Sequence, residues 1–192
     1  MNIAIKNKMP DLIKNLSIND TENITDPEDI EKSAKFFEDH HQYDKVVELK
    51  LNSGKYEDAL DIAEKYNVEL NDKMVEKMIP EKGKDPTREQ IRLGIITRVA
   101  KLVQKNGNFQ LACKLFTQAK QKVKAMQCLL QSNNTQKIMQ YAQIAKNPEV
   151  YILAANFLQT SDWHNDPNVM KTIIQFYSKA EAFDKLSGFY DA

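Results

Sequence analysis

Apolar residues along this chain return every three or four positions, in short series separated by polar turns. Ile96, Val99, Ala100 and Val103 make one series, and beyond Asn106-Gly107-Asn108 a second follows, with Ala112, Phe116 and Ala119. Side chains at such intervals share one face of a helix, so the two series read as helices joined by a turn. The same frame occurs upstream, where Tyr43, Val46 and Val47 precede Gly54, and Ala59, Ala63 and Tyr66 come after it. Further turn signals stand at His40-His41-Gln42 and Ser132-Asn133-Asn134. Prolines mark helix starts. Asp26-Pro27, Asp85-Pro86, Asn147-Pro148 and Asp166-Pro167 each set a capping side chain before a proline at the first helical position, where the missing N–H costs nothing. The pattern predicts about eleven helices and no strand.

The small residues have a purpose in this frame. Gly54 and Gly107 turn the chain, while Ala59, Ala63, Ala112, Phe116 and Ala119 let the second helix of each pair lie close against the first. This is the tetratricopeptide pattern, with A-x3-F-x2-A on the second helix, and it predicts units at about 40–73 and 93–126. Later hairpins, within 135–192, keep the layout but lose the consensus. KMIPEKGKDPTRE lies between the clear units, so a loop is expected near 78–88. A single hairpin cannot bury its own apolar face. The expected fold is therefore all-α, a TPR-like α-solenoid of stacked antiparallel helix hairpins in a right-handed superhelix over 26–192, with 1–25 as a helical or partly ordered lead-in. That lead-in carries Ile3, Ile5, Leu12, Ile13, Leu16 and Ile18, and SGFYDA at the other end offers no polar closing face. A neighbour is expected to stack on each end.

Composition narrows the chemistry. Mean hydropathy is −0.58 with 28% charged residues, and no apolar run approaches the roughly 20 residues that span a bilayer. No compact signal-peptide stretch opens the chain, and it reads as intracellular. Cys113 and Cys128 lack metal-ligand spacing and read as small packing residues. The formal net charge is zero, but it is unevenly laid out. Residues 1–89 carry 21 acids against 14 bases, whereas 90–148 carry no acid and ten bases: Arg92, Arg98, Lys101, Lys105, Lys114, Lys120, Lys122, Lys124, Lys137 and Lys146. The functional reading of this basic band is a patch for an acidic partner surface, an anionic lipid headgroup or an acidic tail; the plain reading is a lysine coat turned to water. Nucleic acid is disfavoured, because neither interleaved aromatics nor a reading motif accompanies the lysines.

No catalytic set converges. His40 and His41 lie in a predicted turn, His164 stands apart, and no GxGxxG, Walker A, HExxH or GxSxG motif occurs. The chain is expected to be no enzyme and to need no cofactor or metal. Trp163, the single tryptophan, is expected to plug the junction between two hairpins ahead of serving as an exposed anchor.

Several blocks go beyond a generic repeat. SAKFFEDHHQYDKVVELKLNSGKYEDAL, KAMQCLL, YILAANFLQTSDW and FYSKAEAFDKLSGFYDA, in this order and spacing over about 26–192, resemble the carboxy-terminal tetratricopeptide region of the intraflagellar transport protein 140 family. The resemblance implies a scaffold subunit of intraflagellar transport complex A. It implies partners among the other complex A subunits in polymeric trains, with dynein and ciliary membrane cargo adaptors reached indirectly. The implied place is the cytoplasmic side of the cilium, at axoneme and basal body, and the implied role is retrograde transport and ciliary entry of membrane proteins. Family members are much longer and begin with paired WD40 propellers, so this chain is expected to be a truncated product, a fragment of a larger assembly or half of a split gene. Two other readings use the same architecture. One is a vesicle coat or tethering subunit; the other is a chaperone adaptor clamping a terminal carboxylate, for which Lys101 and Lys105 could serve but no equivalent cations repeat around Tyr43.

Overall fold

The structure, a computed structural model, describes residues 27–82 and 85–191. The apolar series before residue 19 and the Asp26 cap lie outside the described residues. The chain divides into two compact units, Met1–Lys84 and Asp85–Ala192, and the described residues of both are helical without a strand.

In the first unit, α1 (Pro27–Asp39), α2 (Tyr43–Asn52), α3 (Tyr56–Tyr66) and α4 (Asp72–Met78) follow one another through turns of a few residues. α2 packs between α1 and α3, and α4 closes against α2 and α3. Phe37, Val46, Val47, Leu49, Ala59, Leu60 and Ala63 are almost wholly buried, so both clear series of the sequence point inward. Tyr43 and Tyr66, the flanking aromatics of that series, stack face to face at 3.6 Å between centroids. α4 begins where the Asn71 side chain accepts a hydrogen bond from the Met74 N–H at 2.9 Å.

The second unit contains α5 (Pro86–Lys105), α6 (Phe109–Gln118), α7 (Lys122–Leu130), α8 (Thr135–Ala145), α9 (Pro148–Leu158), α10 (Pro167–Lys179) and α11 (Phe183–Tyr190). Asp85, Asn147 and Asp166 cap α5, α9 and α10 as their proline starts predict, accepting from Arg88, Val150 and Asn168 together with Val169. α9, PEVYILAANFL, has almost no polar face; it lies at the centre, packed against α7, α8 and α10, with Val150, Ala154, Ala155 and Leu158 fully buried. A helix apolar on most sides is stable only inside such a stack.

One turn leads straight into the next helix at five of the described junctions, and Asn67 after α3 makes the same closure, Val68 N–H to Ala63, ahead of a longer link. At His41, Gly54, Gly107, Lys120 and Glu181 the backbone enters the left-handed region, with φ of 57°, 76°, 84°, 60° and 55°. The next N–H reaches back five residues in every case: Gln42 to Phe37, Lys55 to Lys50, Asn108 to Val103, Gln121 to Phe116 and Ala182 to Tyr177, at 2.8–3.1 Å. This is the Schellman closure, which satisfies the last carbonyls of one helix while reversing the chain into the next. The following helix starts two residues beyond the left-handed position, at Tyr43, Tyr56, Phe109, Lys122 and Phe183. Glycine fills the strained position only twice. The sequence signals at Gly54 and Gly107 therefore find two turns of this type, while those at Lys120 and Glu181 have no glycine to announce them.

The turn also sets the packing frame. Five residues beyond it stand Val46, Ala59, Ala112 and Ala125, and nine beyond it Lys50, Ala63, Phe116 and Leu129, all buried. In α11 the frame changes: Leu186 is only half-buried and Tyr190 is 66% exposed.

Candidate interaction surface

Ala59, Ala63, Ala112 and Phe116 have no measurable exposure, and Ala119 is buried at the end of α6. Gly54 and Gly107 adopt positive φ, and a Cβ added to either would meet no atom within 4 Å, so backbone conformation alone selects glycine there.

The basic band resolves into residues with different tasks. Arg92 pairs with Glu89 one turn back, at 3.5 Å. Lys122 donates to the Ala145 carbonyl at 2.7 Å and so closes the C-terminus of α8, a favourable place for a cation. Lys124 lies 6.0 Å from the centre of the Phe116 ring. Lys120 and Lys146 occupy left-handed positions after α6 and α8. Arg98 is half-buried on α5. Lys101 and Lys105, one turn apart on α5, and Lys114 on α6 and Lys137 on α8 are exposed to solvent. α5 buries Ile96, Val99, Ala100 and Val103, so Lys101 and Lys105 point directly away from the core; Lys114 does the same on α6, whose inward side chains are Ala112, Leu115 and Phe116.

Other candidates prove structural. His40 stacks on Phe36 at 4.1 Å, and His41 meets the Tyr43 hydroxyl at 2.9 Å, so the two adjacent imidazoles face different neighbours. Among the described residues no group of three His, Cys, Asp or Glu side chains is placed to hold a metal ion, and no helix is long and apolar enough to cross a membrane. Cys113 is half-buried and Cys128 buried. Burial pushes the Cys128 thiol up to about 11, with the nearby Cys113 adding to it, and burial raises Cys113 too against an opposing hydrogen bond with Thr117. Both are packing residues in a protonated state. Trp163 is half-buried between α9 and α10; its ring rests 4.6 Å from Phe189, and the His164 ring covers it at 3.6 Å.

Two polar arrangements were not foreseen. Lys50 is only 8% exposed, and its ammonium reaches Glu31 at 3.1 Å, while Lys55 meets the same carboxylate at 3.4 Å. The Lys50 ammonium first and then Lys55 hold the Glu31 carboxyl below its ordinary value. In the second unit Tyr177, 1% exposed, donates to Asn156 and accepts from Gln159, each at 2.7 Å, tying α10 to α9. A buried hydroxyl needs such partners. Tyr177 follows Phe176 in an apolar stretch of sequence that gives no hint of the two amides.

The described residues are stacked helix hairpins with apolar inner faces and exposed lysines. The tetratricopeptide domain shared by intraflagellar transport proteins 140 and 172 matches residues 1–176 of the sequence, and the chain belongs to that family.

Proposed function

We propose that the chain is a non-catalytic scaffold subunit of intraflagellar transport complex A, joining other subunits of that complex in retrograde ciliary transport and in the entry of membrane proteins into the cilium. Membership of the family gives the coarser statement directly: this is a helical-repeat scaffold of the intraflagellar transport machinery, with a ciliary association. The observation that carries the finer reading is the family match over most of the chain, taken with the blocks KAMQCLL, YILAANFLQTSDW and FYSKAEAFDKLSGFYDA. In this reading the repeat region runs from 26 to 192, joined across the segment near 78–88. Contacts are many and individually modest, and assembly into trains multiplies them. The exposed lysines of the basic band meet acidic neighbours, with dynein and cargo adaptors reached through other subunits.

A tagged copy of the chain recovered from ciliated cells, with its partners identified by mass spectrometry across a salt series, tests the assignment. Complex A subunits that fall away as salt rises support it. Recovery of vesicle-coat or chaperone proteins in their place overturns the ciliary part and leaves the repeat architecture.

A further inference from the structure

α5 carries a feature that its own fold does not use. At 20 residues it is the longest described helix, yet every residue it buries lies at or beyond Ile96. Its outward side bears Ile91, Gly94, Arg98, Lys101 and Lys105, spaced by three, four, three and four residues, the interval that keeps a stripe in line along a helix. Ile91 is 56% exposed. Gly94 lies inside the helix with ordinary backbone geometry, and a Cβ built on it would meet nothing within 4 Å. Glycine is among the poorest helix formers, because it surrenders the most backbone freedom on folding. Among the described residues neither a turn nor a tight contact requires it here. A residue that weakens its own helix and leaves a gap beside an exposed isoleucine fits the close approach of a second backbone. Farther along the same stripe Lys101 and Lys105 stand free in solvent within a stretch of sequence that has no acid from 90 to 148.

We propose that this stripe is a docking seam for an acidic amphipathic helix of a partner protein. An apolar side chain of that helix rests on Ile91 and over the notch at Gly94, and carboxylates three or four residues apart face Lys101 and Lys105. The three-four spacing favours a helix aligned with α5, crossing at a shallow angle. A lipid surface is the poorer match, since membrane-lying helices set several large apolar residues in a row, and here Ile91 is alone. Nucleic acid is poorer again, because no exposed aromatic stands among these lysines to stack on a base. The proposal rests on the chain being a protein-binding scaffold and is independent of the ciliary assignment.

The test uses the full chain and a synthetic helical peptide of three heptads, with leucine on one stripe and glutamate flanking it, measured by fluorescence anisotropy at low and high salt. The expected result is saturable binding that weakens as salt rises. Lys101→Glu with Lys105→Glu should lower the affinity about tenfold or more at low salt, with the difference shrinking at high salt. Gly94→Leu should lower it by a similar factor while leaving thermal stability equal or higher, since leucine is the better helix former. Equal affinity for a peptide with glutamine in place of glutamate overturns the charge match. Unchanged binding by Gly94→Leu overturns the notch. Binding of anionic phosphatidylserine vesicles in place of the peptide, or salt-sensitive self-association of the chain in the ultracentrifuge, overturns the occupant. Since no complex A subunit is present, failure here and failure of the pull-down are separate results.

Discussion

Replacing Ala112 with leucine tests the packing frame most directly. Ala112 has no exposed surface, lies five residues beyond the Gly107 turn, and sits with Phe116 and Leu115 on the inward face of α6. Leucine adds three carbon atoms where the neighbouring helix already fills the space. Both α5 and α7 lie against α6, so relief requires either an unfavoured rotamer or movement of a helix. Overpacking of this kind costs about 1–3 kcal/mol. The unit that contains it, Asp85–Ala192, is close to the size for which each kcal/mol shifts the midpoint by about 4–8 °C. A thermal scan followed by circular dichroism should therefore show a fall of roughly 4–24 °C. Hydrogen exchange should place the loss in α5, α6 and α7. An unchanged midpoint, or faster exchange confined to α1–α4, would refute the register and with it the argument that small residues exist here to let helices approach.

Four further outcomes follow from the same geometry. Lys120→Gly relieves a left-handed position at φ 60° and should stabilise the second unit by up to about 1 kcal/mol, read by urea titration; Gly107→Val should do the reverse. Glu31→Gln strands the Lys50 ammonium at 8% exposure and should cost about 1 kcal/mol at pH 7, because the partner it leaves behind is buried while the carboxylate itself is mostly in water. The Glu31 carboxyl is held below its ordinary 4.5, so its contribution is present above that pH and fades as pH falls through the lower folded value; wild type and Glu31→Gln should converge in acid. Tyr177→Phe removes the hydroxyl between Asn156 and Gln159 and should lower stability by about 1 kcal/mol, with exchange rising in α9 and α10. With Cys128 at about 11 and Cys113 also raised, a disulfide reagent at pH 8 should label neither thiol quickly in the folded chain and both at once in denaturant.

Local chemistry made much of this protein readable before its fold. Three-four spacing at Ile96, Val99, Ala100 and Val103 fixes which face of α5 turns inward, because a helix offers no other way to bring them together. Asp85, Asn147 and Asp166 before proline fix where helices begin, since a cap and a preset φ act within a few residues. The A-x3-F-x2-A frame after Gly107 fixes a hairpin, and the basic band is plain from residue type alone. What lay beyond reach depends on neighbours distant in sequence. The Schellman turns at Lys120 and Glu181 hold side chains in a conformation they disfavour, and only the packing of helices on both sides makes the turn worth its strain. Lys50 is buried because Glu31, nineteen residues earlier, meets it across two helices. The band of cations divides into caps, ring contacts and free lysines only after α8 brings the Ala145 carbonyl to Lys122. Sequence determined the helices and their inward faces, since each rests on interactions within a turn or two; tertiary structure decided which polar groups are consumed by the fold and which, like Lys101 and Lys105, stay exposed to water, because that depends on what each helix finds beside it.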